Sequence, residues 1–359
     1  MSDFEHDRGK RSGTGAVLDM SRLLLRALTG CSVPRRPIWI LRQAGRYLPE
    51  YRALRSRHSF EELLADPDLA AEATLMPIER FGLDAAIVFA DLVSPLAALN
   101  LRFRFQPGPV LERPIRSTAQ IQALPTVEPS SIAVPVYETL RRVRRRLDQR
   151  TALIGFVGAP LSLAAYLVEG RGRPGFPQLV ALARSEALAF ELLLAKLARL
   201  AADYAIEQAK AGADAIQIFD SWAGLLPVAD WNRLVRPHLG DLLTELGHAG
   251  VRRILYVNNA PALVEAFAAL PCEALAVGSE TDLSALRVRL GSGKALQGNL
   301  DPTVLEASAA ATRAATEALL CRVPARGHIV NLGSGIRPAA ELESVQMLVD
   351  TVRAERIAS

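Results

Sequence analysis

Strand-like and helix-like segments alternate along most of this 359-residue chain. Eight short apolar runs have the length of strands, and most of them are followed by apolar residues at helical spacing. Because alternating strands and helices form parallel βαβ units, eight of them predict a single α/β domain, a closed (β/α)8 TIM barrel. The predicted strands are Pro37–Leu41, Asp84–Phe89, Ala152–Val157, Ala215–Phe219, Arg253–Val257, Ala274–Val277, Lys294–Gln297 and His328–Leu332.

The segments between the strands show helical periodicity. The strands themselves are almost continuously apolar, as expected where helices cover both faces of a sheet. An open doubly wound sheet is the second interpretation, and the absence of a GxGxxG motif after the first strand weakens it. The predicted helices are Phe60–Phe81 with a break at Asp66-Pro67, Ser185–Ala211, Trp231–Leu246, Ala260–Ala269, Leu283–Leu290, Val304–Leu320 and Glu341–Arg353.

The link between the second and third strands is too long for one loop and one helix. Within it, Arg102–Phe105 alternates between polar and apolar residues, and the turn-forming residues 106–109 follow. This pattern predicts a β-hairpin inserted into the barrel. The polar residues 1–17 are predicted to be a disordered tail, and residues 18–359 to form the barrel domain.

Composition narrows the function classes. No apolar run approaches the roughly 18 residues of a membrane span, so no membrane association is expected. The three cysteines are scattered, which predicts neither a disulfide framework nor a zinc site and favours a cytoplasmic protein. The net charge is +4, but the one dense basic cluster, Arg141–Arg150, has the spacing of a solvated helix face. No nucleic-acid partner is therefore predicted.

In a barrel of this kind the active site lies at the carboxyl ends of the strands, here called the rim. The first strand ends in Arg42-Gln43-Ala44-Gly45-Arg46, and Arg55 follows further along the chain. Arginine stays charged at any working pH and pairs with carboxylates through two parallel hydrogen bonds. This loop therefore predicts a ligand with several carboxylates.

Other chemically capable residues fall at the rim: Asp91 after strand two, Tyr166 beyond strand three, Ser221 after strand four and Ser334 after strand eight. Each has a structural alternative. Asp91 could cap a helix, Tyr166 could belong to the core, and Ser221 could be a turn residue. Their coincidence at one rim favours function.

The arginines and one histidine have structural alternatives too. Arg42 and Arg46 could form ion pairs with Glu50 or Asp91. His328 is expected to belong to its strand rather than to the site.

Six segments together resemble the uroporphyrinogen decarboxylase family, collinearly from about Leu18 to the C-terminus. The first is the most specific. They are PIWILRQAGRYLPEYR (37–52), AAIVFADL (85–92), GFVGAPLSLAAYLVEG (155–170), IQIFDSWAG (216–224), LQGNLDP (296–302) and GHIVNLGSG (327–335).

The resemblance implies a cofactor-free (β/α)8 barrel without a metal, usually a homodimer. It implies conversion of uroporphyrinogen to coproporphyrinogen by loss of CO2 from four acetate side chains. Asp91 would hydrogen-bond the pyrrole N–H groups, and the arginines would hold carboxylates. The residues that match the family's substrate-binding pattern are Arg42, Gln43, Ala44, Gly45, Arg46, Arg55, Asp91, Tyr166 and Ser221.

The chemistry fits these residue types. Decarboxylation of an acetate needs an electron sink, and a protonated pyrrole can serve as one. We expect Asp91 to stabilise that cation and Arg42 with Arg46 to orient the reacting acetate.

Four rim positions depart from the family pattern. Ser334 stands where the family usually has a histidine that contacts the substrate, and Ala90, Asn258 and Glu280 also differ. These changes suggest either a weakened enzyme or a divergent paralogue that binds or acts on another tetrapyrrole-like or polycarboxylate substrate. Two further alternatives are open. A cobalamin-type methyltransferase, whose relatives share this fold, would need zinc held by His or Cys ligands, and the scattered cysteines argue against it. A non-enzymatic scaffold is less favoured because the arginine loop is intact.

Overall fold

The computed structural model describes residues 22–258 and 260–357. The predicted tail, residues 1–17, lies outside the described residues. The strands are Ala85–Ile87 (β1), Phe103–Phe105 (β2), Pro109–Leu111 (β3), Ala152–Gly158 (β4), Ala215–Asp220 (β5), Arg253–Val257 (β6), Ala274–Val277 (β7), Ala295–Gln297 (β8) and His328–Ile329 (β9).

Seven strands form one parallel sheet in the order β1-β4-β5-β6-β7-β8-β9. The remaining predicted strand, residues 37–41, is the first in the chain and closes the ring between the two edge strands, β1 and β9. Ile38 forms a parallel bridge with Val330 beside β9, and its carbonyl accepts a hydrogen bond from the Asp84 N–H at 2.9 Å. The predicted closed barrel is confirmed.

Residues 37–41 do not form a regular strand, because side chains take the backbone donors that a ladder would use. The Ile38 N–H donates to the Asp84 carboxylate at 2.8 Å. The Ile40 N–H donates to Gln43 Oε1 at 3.2 Å, and the Leu41 N–H donates to Asn331 Oδ1 at 2.8 Å. The segment is therefore fixed in place without continuous pairing.

Helices surround the sheet. They are Leu23–Leu28 (α1), Pro49–Arg55 (α2), Phe60–Ala65 (α3), Pro67–Phe81 (α4), Thr118–Gln122 (α5), Val134–Arg146 (α6), Pro160–Glu169 (α7), Pro177–Ser185 (α8), Ala187–Lys210 (α9), Val228–Asp230 (α10), Arg236–His248 (α11), Val264–Ala268 (α12), Leu283–Leu290 (α13), Ala309–Arg322 (α14) and Leu342–Ala354 (α15). A π-helical turn, Trp231–Val235, joins α10 to α11. Short 3-10 turns are Ser94–Leu99, Pro129–Ser131, Ala223–Leu225, Pro261–Leu263 and Pro302–Glu306.

Capping residues decide where the predicted helices begin. The expected break at Asp66-Pro67 is confirmed: Asp66 accepts hydrogen bonds from the Asp68 and Leu69 N–H groups and starts α4. The predicted start of the helix Val304–Leu320 was wrong, because the helix begins five residues later, at Ala309. Ser308 caps α14 by accepting from the Ala311 N–H at 3.2 Å, so the residues before it form a separate turn.

The predicted hairpin insertion is confirmed as the antiparallel pair β2–β3, with Phe103 opposite Leu111 and Phe105 opposite Pro109. The Leu111 N–H donates to the Gly170 carbonyl at 2.6 Å. This contact ties the hairpin to the end of α7, the helix that follows β4.

The barrel interior is filled by small residues at one end. Five strands, β1, β4, β5, β7 and β8, begin with a buried alanine, and these alanines pack in one cluster with α1 and Trp39. The amino ends of the strands, here called the base, are thus closed by α1. A larger apolar cluster fills the layer between sheet and outer helices. Because the base is filled, a ligand that enters the barrel would do so from the rim.

The basic cluster on α6 is a solvated face bound to acidic neighbours, as the spacing predicted. Arg142 pairs with Asp68 at 2.5 Å and Arg144 with Asp214 at 3.1 Å. Among the described residues, no helix combines the length and apolar character needed to cross a membrane.

Candidate active site

The first rim loop begins with a strained arginine. Arg42 has a φ of +61°, in the left-handed region that costs a side-chain-bearing residue about 1 kcal/mol. Its side chain then runs across Gly335 in the last rim loop. A Cβ atom at Gly335 would lie 2.5 Å from Arg42 Cδ, so only glycine leaves room. The guanidinium is therefore directed by backbone geometry at two loops.

Gln43 holds this loop in shape. Its Oε1 accepts from the Ile40 N–H, and its Nε2 donates to the Ala85 carbonyl at 3.1 Å. Its own carbonyl accepts from the Tyr47 hydroxyl at 2.9 Å. Gln43 is only 1% exposed, so its amide is occupied within the protein. A ligand contact at Gln43 would have to involve its backbone.

Arg42 and Arg46 make no ion pair or side-chain hydrogen bond with any residue in the described ranges. Glu50, the expected partner, pairs instead with Arg80 at 2.5 Å. The structural alternative of ion pairs with Glu50 or Asp91 is therefore wrong. Two exposed guanidinium groups therefore stand at the rim without an ion pair to any described residue.

Arg55 extends this positive side of the rim. It is half-buried at the end of α2 and donates to the His58 carbonyl. Its guanidinium carbon lies 5.9 Å from the centre of the Phe60 ring. The cation–π contact orients the group while leaving donors available to a ligand.

Asp91 follows β1 and is held by local hydrogen bonds. Its Oδ1 accepts from the Val93 N–H at 3.0 Å, and its own N–H donates to Ser94 Oγ at 3.2 Å. These bonds form a local turn rather than a helix cap: the 3-10 turn Ser94–Leu99 has Val93 at its N-cap and no side-chain cap, so the capping alternative is wrong. Burial raises the pKa of Asp91 above its usual range, opposed by the Val93 hydrogen bond and the charge of Arg42. A cationic or N–H-donating ligand would favour its ionised form.

Tyr166 and Ser221 lie on the far wall. Tyr166, on α7, is half-buried and packs edge-on against Phe176, with ring centres 6.4 Å apart. Burial raises the pKa of its hydroxyl, and the nearby Asp91 carboxylate raises it further. Ser221 follows β5, and its N–H donates to Ser162 Oγ at 3.0 Å.

Ser334 lies in the last rim loop, which is fixed on both sides. The Tyr256 hydroxyl donates to the Gly333 carbonyl at 2.8 Å. The Ile336 N–H donates to the Leu41 carbonyl at 2.9 Å, which brings this loop beside Arg42. The first and last rim loops therefore form one continuous surface.

A cavity of about 830 Å³ opens at the rim. All of the predicted site residues line it: Arg42, Gln43, Ala44, Gly45, Arg46, Arg55, Asp91, Tyr166, Ser221 and Ser334. Two of the divergent positions, Ala90 and Asn258, also line the cavity, whereas Glu280 is not among the lining residues. The volume is at the upper end of small-molecule sites.

Sequence reasoning missed several lining residues. The hairpin tip contributes Phe105 and Pro107, and the loop after β9 contributes Arg337. Arg337 adds a further cation, held at 3.2 Å from Glu306. Because Arg337 follows Ser334 by only three residues, its position in the sequence could have indicated that it lies at the rim. Nothing in the sequence of the hairpin indicated that its tip would reach the rim.

Among residues 22–258 and 260–357, no three His, Cys, Asp or Glu side chains are grouped to hold a metal ion. Cys272 is buried, while Cys31 and Cys321 are exposed elsewhere. The zinc ligands that the methyltransferase alternative requires are not assembled in this part of the chain.

Comparison with known proteins assigns the family. A family profile described as uroporphyrinogen decarboxylase (URO-D) matches residues 20–355. The chain belongs to the uroporphyrinogen decarboxylase family. A relative named uroporphyrinogen decarboxylase from Syntrophotalea carbinolica is 42% identical over 91% of this chain and 96% of its own length. One of the same name from Alkalilimnicola ehrlichii is 41% identical over 94% of each chain.

Solved structures show the same fold at low identity. A methyltransferase from Methanosarcina mazei superposes with a TM-score of 0.76 at 20% identity, covering 93% of this chain and 98% of its own. A B12-independent methionine synthase from Shewanella sp. W3-18-1 gives a TM-score of 0.55 at 11% identity, covering 83% of this chain and 88% of its own. At these identities the likeness concerns the barrel alone.

Proposed function

We propose that this chain removes CO2 from the four acetate side chains of uroporphyrinogen III and forms coproporphyrinogen III, in tetrapyrrole biosynthesis. The observation that carries the proposal is the rim itself. Unpaired guanidinium groups of Arg42 and Arg46 face a cavity that also holds the partly desolvated carboxyl of Asp91. A flat ligand with carboxylates at its edge and N–H groups at its centre complements this arrangement.

The arginines supply binding and orientation. Arg42, Arg46, Arg55 and Arg337 place positive charge along two adjacent rim loops. Each can pair with a carboxylate in parallel hydrogen bonds, which fixes both the position and the plane of that group. We assign Arg42 and Arg46 to the reacting acetate, because neither forms an ion pair with a described residue.

The reaction needs no bound cofactor, because the pyrrole ring of the substrate supplies the electron sink. A proton adds to the pyrrole α-carbon and makes the ring cationic. The bond between the acetate methylene and its carboxylate breaks, CO2 leaves, and the electron pair forms an exocyclic double bond that neutralises the ring. A proton then adds to the methylene carbon to give methyl, and the α-carbon loses its proton.

Asp91 stabilises the cationic stage. In the empty site, burial disfavours its charge. The ring N–H groups and the positive charge of the intermediate favour the ionised carboxylate, and this attraction is strong where water is excluded. The interaction is greatest when the ring is cationic, which is the condition for accelerating the reaction.

The divergent-paralogue alternative is not favoured. Relatives with 37–42% identity that cover more than nine-tenths of this chain carry the name uroporphyrinogen decarboxylase. Ala90, Asn258 and Ser334 replace individual contacts, but the arginine loop and Asp91 are intact.

The test is anaerobic incubation of the purified protein with uroporphyrinogen III, with products resolved by the number of carboxylates. We expect seven-, six-, five- and four-carboxylate products in sequence. Tight porphyrin binding with no loss of CO2 would overturn the decarboxylase and favour the paralogue.

We further propose a homodimer acting in the cytoplasm, as the family resemblance implies. The free cysteines in the described part of the chain support a reducing compartment. Light scattering during size-exclusion chromatography tests the dimer, and a monomer mass would reject it.

A further inference from the structure

Asp220 is a buried acid directly behind the rim. It is the last residue of β5, is 0% exposed and does not line the cavity. Its Oδ1 accepts from the Ser162 hydroxyl at 3.1 Å, whereas its Oδ2 makes no hydrogen bond of good geometry within the described residues. Burial raises the pKa of this carboxyl to about 7, and interactions with Ser162, the Trp222 N–H and the Trp231 indole oppose the shift.

Ser162 transmits this contact to the cavity wall. Its hydroxyl, fully buried on α7, is within hydrogen-bond distance of both Asp220 Oδ1 and the Ser221 N–H. An N–H group can only donate, so a lone pair of Ser162 Oγ receives the Ser221 N–H. The one hydroxyl proton of Ser162 is then left for Asp220 Oδ1, which can accept it when the carboxyl is ionised and also when the carboxyl carries its proton on Oδ2. Asp220 fixes the rotation of Ser162, and Ser162 fixes the backbone of Ser221.

The contact joins two walls of the cavity. Ser162 and Tyr166 are four residues apart on α7 and lie on the same face of that helix. Ser221 and Trp222 begin the loop after β5, and both line the cavity with Tyr166. The hydrogen bonds from Asp220 through Ser162 to Ser221 thus set the distance between Tyr166 and Ser221 across the cavity.

Stability alone gives no reason for a carboxyl at this position. A buried acid whose hydrogen bonds are incomplete costs free energy that a well-packed apolar residue would not. Such a group is retained where it fixes a geometry that function requires.

We propose that Asp220 and Ser162 are positioning residues that hold Ser221 and Tyr166 at the spacing required by the tetrapyrrole. The inference rests on the proposed function for the identity of the ligand. Neither residue contacts the ligand, so the expected effect is on binding rather than on the chemical step.

Ser162→Ala and Asp220→Ala test the proposal by steady-state kinetics with uroporphyrinogen III. We expect KM to rise about tenfold, the scale of one lost hydrogen bond, with kcat changed less than about threefold. Asp220→Asn keeps an oxygen acceptor for Ser162 and should restore KM to within about threefold of wild type. If Asp220→Ala does not fold, the smaller change Ser162→Ala decides.

Ser344→Ala is the matched control. Ser344 is also buried, its hydroxyl donates to the Ala307 carbonyl at 2.7 Å, and neither of these two residues lines the cavity. It should lose a similar amount of stability with KM unchanged. If Ser162→Ala behaves like Ser344→Ala, the proposed positioning role is rejected.

A binding measurement separates this inference from the proposed function. Uroporphyrin, the oxidised analogue, is titrated against the same variants, and its Kd is read from quenching of tryptophan fluorescence. Absence of turnover by the wild type would reject the decarboxylase. A weaker Kd for Ser162→Ala would still support positioning, and an unchanged Kd would overturn it.

Discussion

Two pairs of arginines flank the same short segment, residues 37–41, and their surroundings differ completely. At the base, Arg35 and Arg36 are 5% and 2% exposed. Arg35 makes two hydrogen bonds of 2.7 Å to Asp84, and Arg36 pairs with Glu355 at 2.8 Å. At the rim, Arg42 and Arg46 are exposed to the cavity, and neither has a partner in the described ranges.

The difference shows how one residue type serves two purposes along one segment. A buried charge must be paired, so the base arginines close the barrel by tying residues 37–41 to β1 and to the end of α15. An unpaired charge persists only where water or a ligand can reach it. The rim arginines therefore keep a pairing capacity that the described residues do not use, as the proposed binding of carboxylates requires.

The largest expected effect is on stability at the base. Arg36→Met leaves Glu355 and the carbonyls of Leu320 and Val323 without their donor. We expect a loss of about 3 kcal/mol in the free energy of unfolding, measured with urea. Arg46→Met, the matched rim variant, should change it by less than about 0.5 kcal/mol. Equal losses of stability in the two variants would show that the base and rim arginines do not differ in their contribution to folding.

The next effect is on catalysis at the rim. Asp91→Asn keeps the shape of the side chain and removes its charge, so the cationic intermediate loses its stabiliser. We expect turnover of uroporphyrinogen III to fall at least about a hundredfold, with the urea midpoint nearly unchanged. Near-normal turnover by this variant would show that the charge of Asp91 does not stabilise the intermediate.

Binding provides a smaller effect. Arg46→Met removes a charge-assisted hydrogen bond to a substrate carboxylate, and KM should rise about tenfold. Arg57→Met is the control, because Arg57 is an exposed arginine nearby that does not line the cavity. The same KM change in both variants would indicate general electrostatic attraction rather than a specific contact.

The effect that nearly cancels in the wild type is a pH dependence of stability, with opposite signs at the base and at the rim. Burial and the charge of Arg36 lower the pKa of His328 at the base from 6.5 to about 3. Burial raises the pKa of Asp220 at the rim from 3.8 to about 7. Between about pH 4 and 6.5 the unfolded chain binds a proton at His328 that the folded chain excludes, while the folded chain binds one at Asp220.

The two contributions are each about 1.4 kcal/mol per pH unit and cancel over that range. His328→Gln should therefore make the protein gain stability, relative to wild type, as pH falls from 6.5 to 4.5. Asp220→Asn should make it lose stability over the same range. Urea unfolding at three pH values measures both slopes, and parallel curves for all three proteins would contradict the assignment.

Much of the fold could be predicted because it depends on local pattern. The apolar runs indicated the eight positions of the barrel, and alternation at residues 102–105 indicated the hairpin. The irregular pairing of residues 37–41 could not be predicted. It depends on side chains of Asp84 and Asn331, which are distant in sequence.

The candidate site was predictable where a residue follows a strand directly, as Arg42 and Asp91 do. His328 was correctly assigned to its strand, where its Nε2 lies 2.8 Å from the Gly298 carbonyl. The hairpin tip was missed because its place at the rim depends on contacts with α7. Asp220 was missed because a polar residue at the end of a strand looks the same whether it points to the cavity or away.

Hydrogen bonds within its own turn fix Asp91, so its carboxylate cannot move with the substrate. The proposed reaction removes CO2 from four acetate arms, and the site has one such carboxylate. After each loss of CO2 the macrocycle must be presented again in a new orientation, whether by tumbling in place or by leaving and returning. The amount of partly decarboxylated substrate found in solution would then show how often the macrocycle leaves the site between steps instead of rotating within it.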